Sequence, residues 1–342
     1  MEYKGKYFLG REKKNRIVSK TKIASFPDNA LIELSNACNH LCVFCNNPRM
    51  KRKVNTLDRN IYSRFLIEAY QSGLREIGLY ATGEPFLTKD ISWYIREAKK
   101  NGIERIYLTT NGSLASLEKV INAFNNGLNS IKYSVNAGTK ESYKIIHGKD
   151  DFLKVCKNIK DVFDWKTKNN IDLHMLGSFI YTKKTVNEIP VYKETLGKYF
   201  DDVKFFPAGS QGGRINNIIE TISTDFKEKE LKNVEPCEML WNRLHLTCEG
   251  FLTACCIDYE LDLVYANFKD SKKNVKELWN NSIMQKLRLK HLEKKLDNTV
   301  CKNCLLGTKE KYEKLTKVSF KENQRLKTSD VVKRTLLASK TV

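Results

Sequence analysis

The sequence predicts an α/β protein built on a parallel sheet, with a smaller cysteine-bearing region after it. Three observations carry this. Short apolar runs suited to strands alternate with segments of helical period from about Leu31 to Pro207. Several of those runs carry polar residues at every second position, where a purely structural parallel barrel would be apolar on both faces. From about Gly209 the alternation gives way to a glycine-rich passage, a hairpin signal and spaced cysteines.

The strands begin at about Leu31, Glu76, Arg105, Ser130, Ile171 and Asp202. The helical segments between them run over Asp58 to Gln71, Ile91 to Asn101, Leu114 to Asn125, Phe152 to Lys168 and Val186 to Tyr199. Six such units suit either a doubly wound sheet or an incomplete barrel, with chemistry at the C-terminal ends of the strands. In RIYLTTNG, Ile106 and Leu108 should face the helices, turning Tyr107, Thr109 and Asn111 the other way. Ile131, Tyr133 and Val135 alternate likewise with Lys132, Ser134 and Asn136. Leu173, Met175 and Phe179 go outward while His174 and Ser178 go inward, and Lys204 alternates against Val203 and Phe205. A polar inner face suits a lumen that holds ligands, so Lys132, Lys204 and His174 are candidate substrate-contacting residues.

At 342 residues the chain can bury a full core. No run of about 18 apolar residues occurs, so no membrane span is expected. The N-terminus has no apolar h-region after its charges, so a cytoplasmic, reducing location is expected, where ten cysteines bind metal or do chemistry more often than they form disulfides. The formal charge of +20 suits a nucleic-acid partner, an anionic substrate, an acidic electron donor or only a solvated lysine-rich surface. The basic residues are dispersed, which does not favour nucleic acid. Local concentrations lie at Arg49 to Lys53 and in the tail from Lys309, with Lys314, Lys317, Lys321, Arg325, Lys327, Lys333 and Arg334. The tail reads as an exposed helix or partly disordered arm.

The first strand leads into LSNACNHLCVFCNNP, which places Cys38, Cys42 and Cys45 in a C-x3-C-x2-C spacing on one loop. Three thiolates so close together are a ligand set. A [4Fe-4S] cube normally takes four cysteines, so three nearby leave one iron open. The other reading is a zinc site of the three cysteines plus His40, although zinc sites usually draw ligands as two separated pairs. The spacing, with Phe44 directly before the last cysteine, resembles the radical S-adenosylmethionine (SAM) superfamily. The resemblance implies a partial (β/α)6 barrel whose open iron binds SAM, and cleavage of SAM to a 5′-deoxyadenosyl radical that abstracts hydrogen from a substrate. It also implies that Phe44 packs by the adenine. ATGEP, Ala81 to Pro85, resembles the family's GGEP segment, so that Gly83 and Glu84 would receive the SAM amino group, with Thr82 standing where the family has its first glycine. TTNG, ending in Asn111 and Gly112, closes the third strand as in the family. Ser134 and Asn136 resemble the polar residues that touch the SAM carboxylate and ribose.

GSQGGRINN reads as a linker. Cys237 then precedes a hairpin turning at Glu249-Gly250, Cys255 lies at its far end, and Cys301 and Cys304 form a C-x2-C knuckle after a helix from roughly Val275 to His291. Cys255 and Cys256 should point to opposite faces of a strand, so at most one is a natural ligand. Four such cysteines can hold one closed site, either iron-sulfur or a structural zinc ribbon. The C-x12-G-x4-C spacing resembles the SPASM and twitch extensions of radical SAM enzymes and selects Cys255. With no cysteine after Cys304, it resembles the twitch form, with one auxiliary [4Fe-4S] cluster held by Cys237, Cys255, Cys301 and Cys304. Cys156 and Cys248 read as packing residues.

The expected organisation is a basic arm over 1–29, a barrel core over 30–208, a linker over 209–232, a β-hairpin-plus-helix cluster domain over 233–308 and a basic tail over 309–342. The resemblance implies two [4Fe-4S] clusters, SAM, a flavodoxin- or ferredoxin-type electron donor, and oxidation of a small polar substrate such as a sugar or aminocyclitol derivative. His174, Lys132 and Lys204 are the candidate bases. The alternatives are maturation of a ribosomally made peptide or protein, disfavoured by the short segment before the first strand, and RNA modification.

Overall fold

A computed structural model describes residues 20–318 together with Phe320, Glu322, Arg325 and Leu326. Six parallel strands follow the expected order: β1 (Asn29–Ile32), β2 (Glu76–Gly78), β3 (Arg105–Thr110), β4 (Ser130–Ser134), β5 (His174–Tyr181) and β6 (Asp202–Pro207). Helices α1 (Arg59–Gln71), α2 (Ile91–Lys100), α3 (Leu117–Asn125), α4 (Lys140–His147), α5 (Phe152–Lys168) and α6 (Ile189–Thr195) lie between them. Asp58 starts α1 by accepting from the N–H groups of Asn60 and Ile61. The outward residues Ile77, Ile106, Leu108, Ile131, Tyr133, Met175 and Phe179 are buried in one core with Phe65, Ile95, Val120, Val155 and Ile159 of the helices. The apolar half of the strand alternation therefore faces where the sequence put it.

Helix α4 is absent from the sequence reading. Its boundary signals are local: Thr139 accepts from Ser142 N, and Gly148 ends the helix at φ 65. Eight residues inside a β/α connection give too short a period to separate from a turn. The segment Val186 to Tyr199 is α6 between two single 3-10 turns.

Beyond the barrel come α7 (Asn216–Ile222), α8 (Met239–Asn242), β7 (Leu244–Leu246), β8 (Phe251–Thr253), β9 (Val264–Asn267), α9 (Val275–Trp279), α10 (Ser282–Leu292) and α11 (Val300–Leu306). The expected hairpin is β7–β8, but it does not stand apart. Strand β7 pairs parallel with β1, Leu31 opposite His245, and β8 and β9 add antiparallel strands beyond it. Among the described residues one nine-stranded sheet results, in the order β6-β5-β4-β3-β2-β1-β7-β8-β9. The single helix expected over Val275 to His291 is two, because Asn281 leaves the helix and caps α10 by accepting from Met284 N.

The expected linker contains α7, whose Ile219 and Ile222 are fully buried. Residues 20–28 of the arm lie on the C-terminal helices, where Trp241 Nε1 donates to Thr21 O at 2.7 Å and Trp279 Nε1 to Ser25 O at 3.0 Å. Residues 309–318 of the tail contain no helix, and Arg325 returns to the cysteine loop, donating to Asn36 O and Asn47 Oδ1 at 3.0 Å each. Residues 1–19 and the tail's Lys321, Lys327, Lys333 and Arg334 lie outside the described residues. Among the described residues no helix is long and apolar enough to cross a membrane.

Candidate iron-sulfur and SAM site

The cysteine loop leaves β1 and lies across the end of α4, with Leu41 N donating to His147 O and Val43 N to Ile146 O, both at 2.9 Å. Val43 and Phe44 are buried with Ile146, Ile215, Ile219 and Ile222, so the two helices missed in the sequence anchor the loop. Asn47 closes its far side by donating to Asn36 O at 2.9 Å and Thr82 O at 2.6 Å. Burial pushes the Cys38 thiol up to about 12, with Glu84 adding to the shift and the His40 N–H opposing it. Burial also raises Cys45, opposed by Tyr259, whose hydroxyl lies 3.4 Å from the sulfur, and by Asn47 N at 3.4 Å. Such thiols stay protonated alone and become thiolates when a metal takes them. A half-buried set of three with N–H and O–H groups close by fits the cluster that the loop spacing suggests.

His40 does not complete a zinc site with all three cysteines. Its Nε2 lies 3.3 Å from Asp151 Oδ2 and its Nδ1 3.1 Å from His147 Nδ1. Its ligand atoms gather with those of Cys42 and His147, within 4.8 Å of one another, and not with those of Cys38 and Cys45. His147 is a residue the sequence reading passed over. Asn136 N–H can only donate, and it donates to His147 Nε2 at 3.1 Å, which leaves the His147 proton on Nδ1. That proton has two acceptors, His40 Nδ1 at 3.1 Å and Cys42 Sγ at 3.6 Å.

Gly83 and Glu84 stand beside this loop. A Cβ on Gly83 would lie 2.3 Å from Ser35 O and 2.5 Å from Ala37 O, so only glycine lets the two backbones meet. Glu84 is 2% exposed, and its carboxylate accepts from Thr110 Oγ1 at 2.8 Å, Asn111 N at 2.8 Å and Phe86 N at 3.1 Å. Burial raises its pKa to about 7 despite those donors. Thr82, in place of glycine, donates to Glu33. Asn111 reaches across to Asn39 Oδ1 at 2.8 Å. Asn136 accepts from Ile180 N at 2.7 Å and lies next to Ser134. Phe44 is 5% exposed and serves as an apolar anchor of the loop.

Three lumen candidates separate. Lys132 and Lys204 are half-buried on the inner face with Tyr80 and Thr109. Burial lowers Lys132 to about 8, and Arg243 and Lys204 push the same way while Cys256 opposes them. His174 is the first residue of β5, at the end of the barrel away from the cysteine loop, and its Nδ1 lies 3.6 Å from Asp201 Oδ2. Burial lowers its pKa. The inward direction expected for His174 thus leads to the barrel floor, because chemistry gathers at the opposite strand ends.

The second cysteine set is brought together by α11 and the loops around β8. Burial raises Cys237 to about 11, with Cys304 adding to the shift, and burial with Cys304 and Cys237 raises Cys301. Cys255 and Cys256 do not lie on opposite faces. Both follow the end of β8 and line one small cavity, and contact between the two thiols raises Cys255 and lowers Cys256. Gly213, at φ 79, passes over the C-x2-C knuckle, and a Cβ there would lie 2.6 Å from Cys304 N. Arg214 fixes that passage by donating to Asp258 Oδ1 at 2.7 Å and Asp262 Oδ2 at 2.6 Å. Tyr259 donates to Gln211 Oε1 at 2.7 Å while lying beside Cys45, which links the two cysteine sets. Four thiols from separate elements, Cys301 buried and the other three half-buried, fit one closed cluster. Cys248 is buried beside Arg52, 3.4 Å from its Nη2.

Residues 32–178 match the family model of the Radical SAM superfamily, and residues 237–305 that of an iron-sulfur cluster-binding domain, SPASM. The chain is similar to a probable GTP 3′,8-cyclase of Sulfurisphaera tokodaii, 29% identical over 163 residues that span 46% of this chain and 48% of that protein. It is also similar to a probable GTP 3′,8-cyclase of Methanocaldococcus jannaschii, 25% identical over 258 residues, 66% of this chain and 84% of that one. For several curated relatives the chain spans about half their length. Its fold is similar to that of BtrN in complex with AdoMet and 2-DOIA, with a TM-score of 0.58 and 17% identity over 85% of this chain and 98% of that one. It is similar also to Streptococcus suis SuiB bound to precursor peptide SuiA, with a TM-score of 0.60 and 15% identity over 79% and 68% of the two chains. At these identities the likeness is one of fold.

Proposed function

The chain belongs to the radical SAM superfamily and carries a SPASM iron-sulfur domain, and from that premise we propose that it oxidises a small polar substrate at a C–H bond in the barrel lumen. Cys38, Cys42 and Cys45 hold the SAM-binding [4Fe-4S] cluster, and Cys237, Cys255, Cys301 and Cys304 hold one auxiliary cluster. When bound, the first cluster with SAM supplies a hydrogen-abstracting 5′-deoxyadenosyl radical, and the closed auxiliary cluster supplies an electron acceptor. Glu84 receives the SAM amino group. Held at about 7 in the free protein, it gains its negative charge as the ammonium arrives. Gly83 allows the close backbone approach beside it, and Ser134, Asn136 and Asn111 line the strand ends around the same space. Lys132 and Lys204 contact the substrate, and His174 leaves the list of candidate bases because it sits on the barrel floor, beside Asp201.

The observation that carries this reading is the half-buried three-thiol loop with the buried Glu84 beside it. The names of the relatives span a nucleotide, a small molecule and a peptide. The polar lumen wall supports a small polar substrate. The test is anaerobic reconstitution followed by dithionite and SAM. 5′-Deoxyadenosine from the wild type, lost in Cys42→Ala, is the expected result; a fully iron-loaded wild type that leaves SAM intact would overturn the proposal.

A further inference from the structure

The segment after α11 crosses both cysteine-bearing regions. Leu315 N donates to Asp262 O and Thr316 Oγ1 to Val264 O, both at 2.9 Å, which lays the chain beside the start of β9. Val318 and Phe320 pack against the buried Phe251, Leu261 and Val264. Glu322 then makes an antiparallel bridge to Arg52, and Arg325 arrives at the loop that carries Cys38, Cys42 and Cys45. Residues that follow the second cysteine set in sequence thus reach the first.

Arg325 joins the two ends of that loop. Its Nη1 donates to Asn36 O and Asn47 Oδ1 at 3.0 Å each, and its Nη2 to Asn36 Oδ1 and Arg52 O at 3.4 Å each. Asn36 lies just before Cys38 and Asn47 just after Cys45, and Asn47 Nδ2 donates to the same Asn36 O at 2.9 Å. All four acceptors are amide oxygens, so these hydrogen bonds orient the guanidinium without neutralising it. Against the burial that raises Cys38 and Cys45, Arg325 favours the thiolate of both. Glu84 opposes it at Cys38, and Arg49, which donates to Val43 O at 3.1 Å, aids it at Cys45. Burial lowers the pKa of Arg325 itself and Arg52 pushes the same way, while Cys38, Glu33 and Cys248 support its charge. The carboxylates of Glu33 and Glu249 are bridged by Arg52, at 2.6 Å each. Coulomb interactions add, so these neighbours set the starting balance of charge and not the sign of the change when Arg325 is removed.

We infer that Arg325 is a positioning residue for the SAM-binding cluster, tying the ends of the cysteine loop together and supplying a fixed positive charge that favours the reduced state. The inference rests on the radical SAM reading. One electron arriving from the external donor adds one negative charge among the three thiolates, with no bond made or broken, and a cation held nearby stabilises that charge. Loss of the cation therefore lowers the midpoint potential.

The test is a redox titration of the reconstituted full chain followed by electron paramagnetic resonance, for the wild type, Arg325→Gln and Arg325→Lys, with iron content read on each preparation. The SAM-binding cluster is recognised by the change in its spectrum when SAM is added. Arg325→Gln should lower its reduced-to-oxidised ratio at a fixed potential by about tenfold, a shift of about 59 mV for one electron, and leave the auxiliary cluster where it was. Arg325→Lys, which keeps the charge and loses the planar fork, should stay near the wild-type potential. A Gln variant that keeps its iron at the wild-type potential, or a Lys variant shifted as far as the Gln variant, would overturn the inference. If Arg325→Gln loses its iron, the Lys variant decides: the wild-type potential with iron retained upholds the role of the charge, and loss of iron there too overturns it. A SAM-responsive cluster indifferent to Arg325 removes the inference alone, and a wild type with no SAM-responsive cluster removes the radical SAM reading and the inference with it.

Discussion

On the proposed reading, Glu84 is the residue whose ionisation most directly reports the SAM site. Its pKa of about 7 means that the free protein carries a partly protonated carboxyl where a cationic amino group is to be received. SAM affinity should therefore rise as pH climbs through about 7 and level off above it. Glu84→Gln should weaken SAM binding about tenfold, as for a lost charge-assisted hydrogen bond, and flatten the pH profile; equilibrium dialysis across pH 6 to 9 measures both. The sign for folding is the reverse. A carboxyl raised in the fold contributes stability fully below its ordinary range near 4.3 and loses it as pH rises through about 7. His147 gives a second prediction at this scale. Its Nδ1 proton faces Cys42 Sγ, and a donor to a cluster thiolate favours the reduced state. His147→Ala should lower the midpoint potential of the SAM cluster by on the order of 50 mV in a titration followed by electron paramagnetic resonance, with iron content retained. Cys38, Cys42 and Cys45 are legible in the sequence because their spacing is local. His147, Arg243, His245 and Tyr259 are not, because only topology brings them to the loop or the lumen.

Helix α7 shows how an element can be misread and still be needed. Its glycine-rich approach resembles a flexible connection, yet Ile219 is fully buried against the apolar cluster under Val43 and Phe44. Ile219→Ala should cost about 2–5 kcal/mol in urea unfolding of the reconstituted protein and should speed iron loss from the cysteine loop. The segment after the loop is tied down by charge. Arg52 is 1% exposed and donates to Glu33 Oε2 and Glu249 Oε2 at 2.6 Å each, which joins β1, the loop and the β7–β8 turn. Burial pushes Glu33 up, but Arg52, with Thr82 and Cys248 N–H, overrides it and holds Glu33 below its ordinary range. The stability this gives is present above that range and is lost as pH falls through the lowered value. Arg52→Ala leaves two carboxylates without their shared cation and should cost about 3–5 kcal/mol by the same unfolding measurement. Read from the sequence, Arg52 was one of five residues in a basic run; only burial distinguishes it from Lys51 and Lys53. The strands were legible because alternation is a two-residue pattern. The break between α9 and α10 was not, because an asparagine inside a helical period shows its capping role only when the chain turns there.

At the scale of the molecule, the cysteine-bearing C-terminal region is continuous with the barrel. Strand β7 extends the parallel sheet at the β1 edge, and Arg214, Gln211 and Tyr259 connect the ground between the two thiol sets. The sequence supports two metal sites by spacing alone, but parallel pairing between distant segments has no local signal, so the shared lumen wall was hidden. Two iron-sulfur sites in one such body are the central claim. Its most direct test is iron and sulfide per chain, with Mössbauer spectra, for the reconstituted wild type, the Cys38→Ala/Cys42→Ala/Cys45→Ala variant and the Cys237→Ala/Cys255→Ala/Cys301→Ala/Cys304→Ala variant. About eight irons in the wild type, falling to about four in each variant, is the predicted result. About four irons in the wild type, unchanged by loss of the second set, or zinc in place of iron at either set, would contradict it.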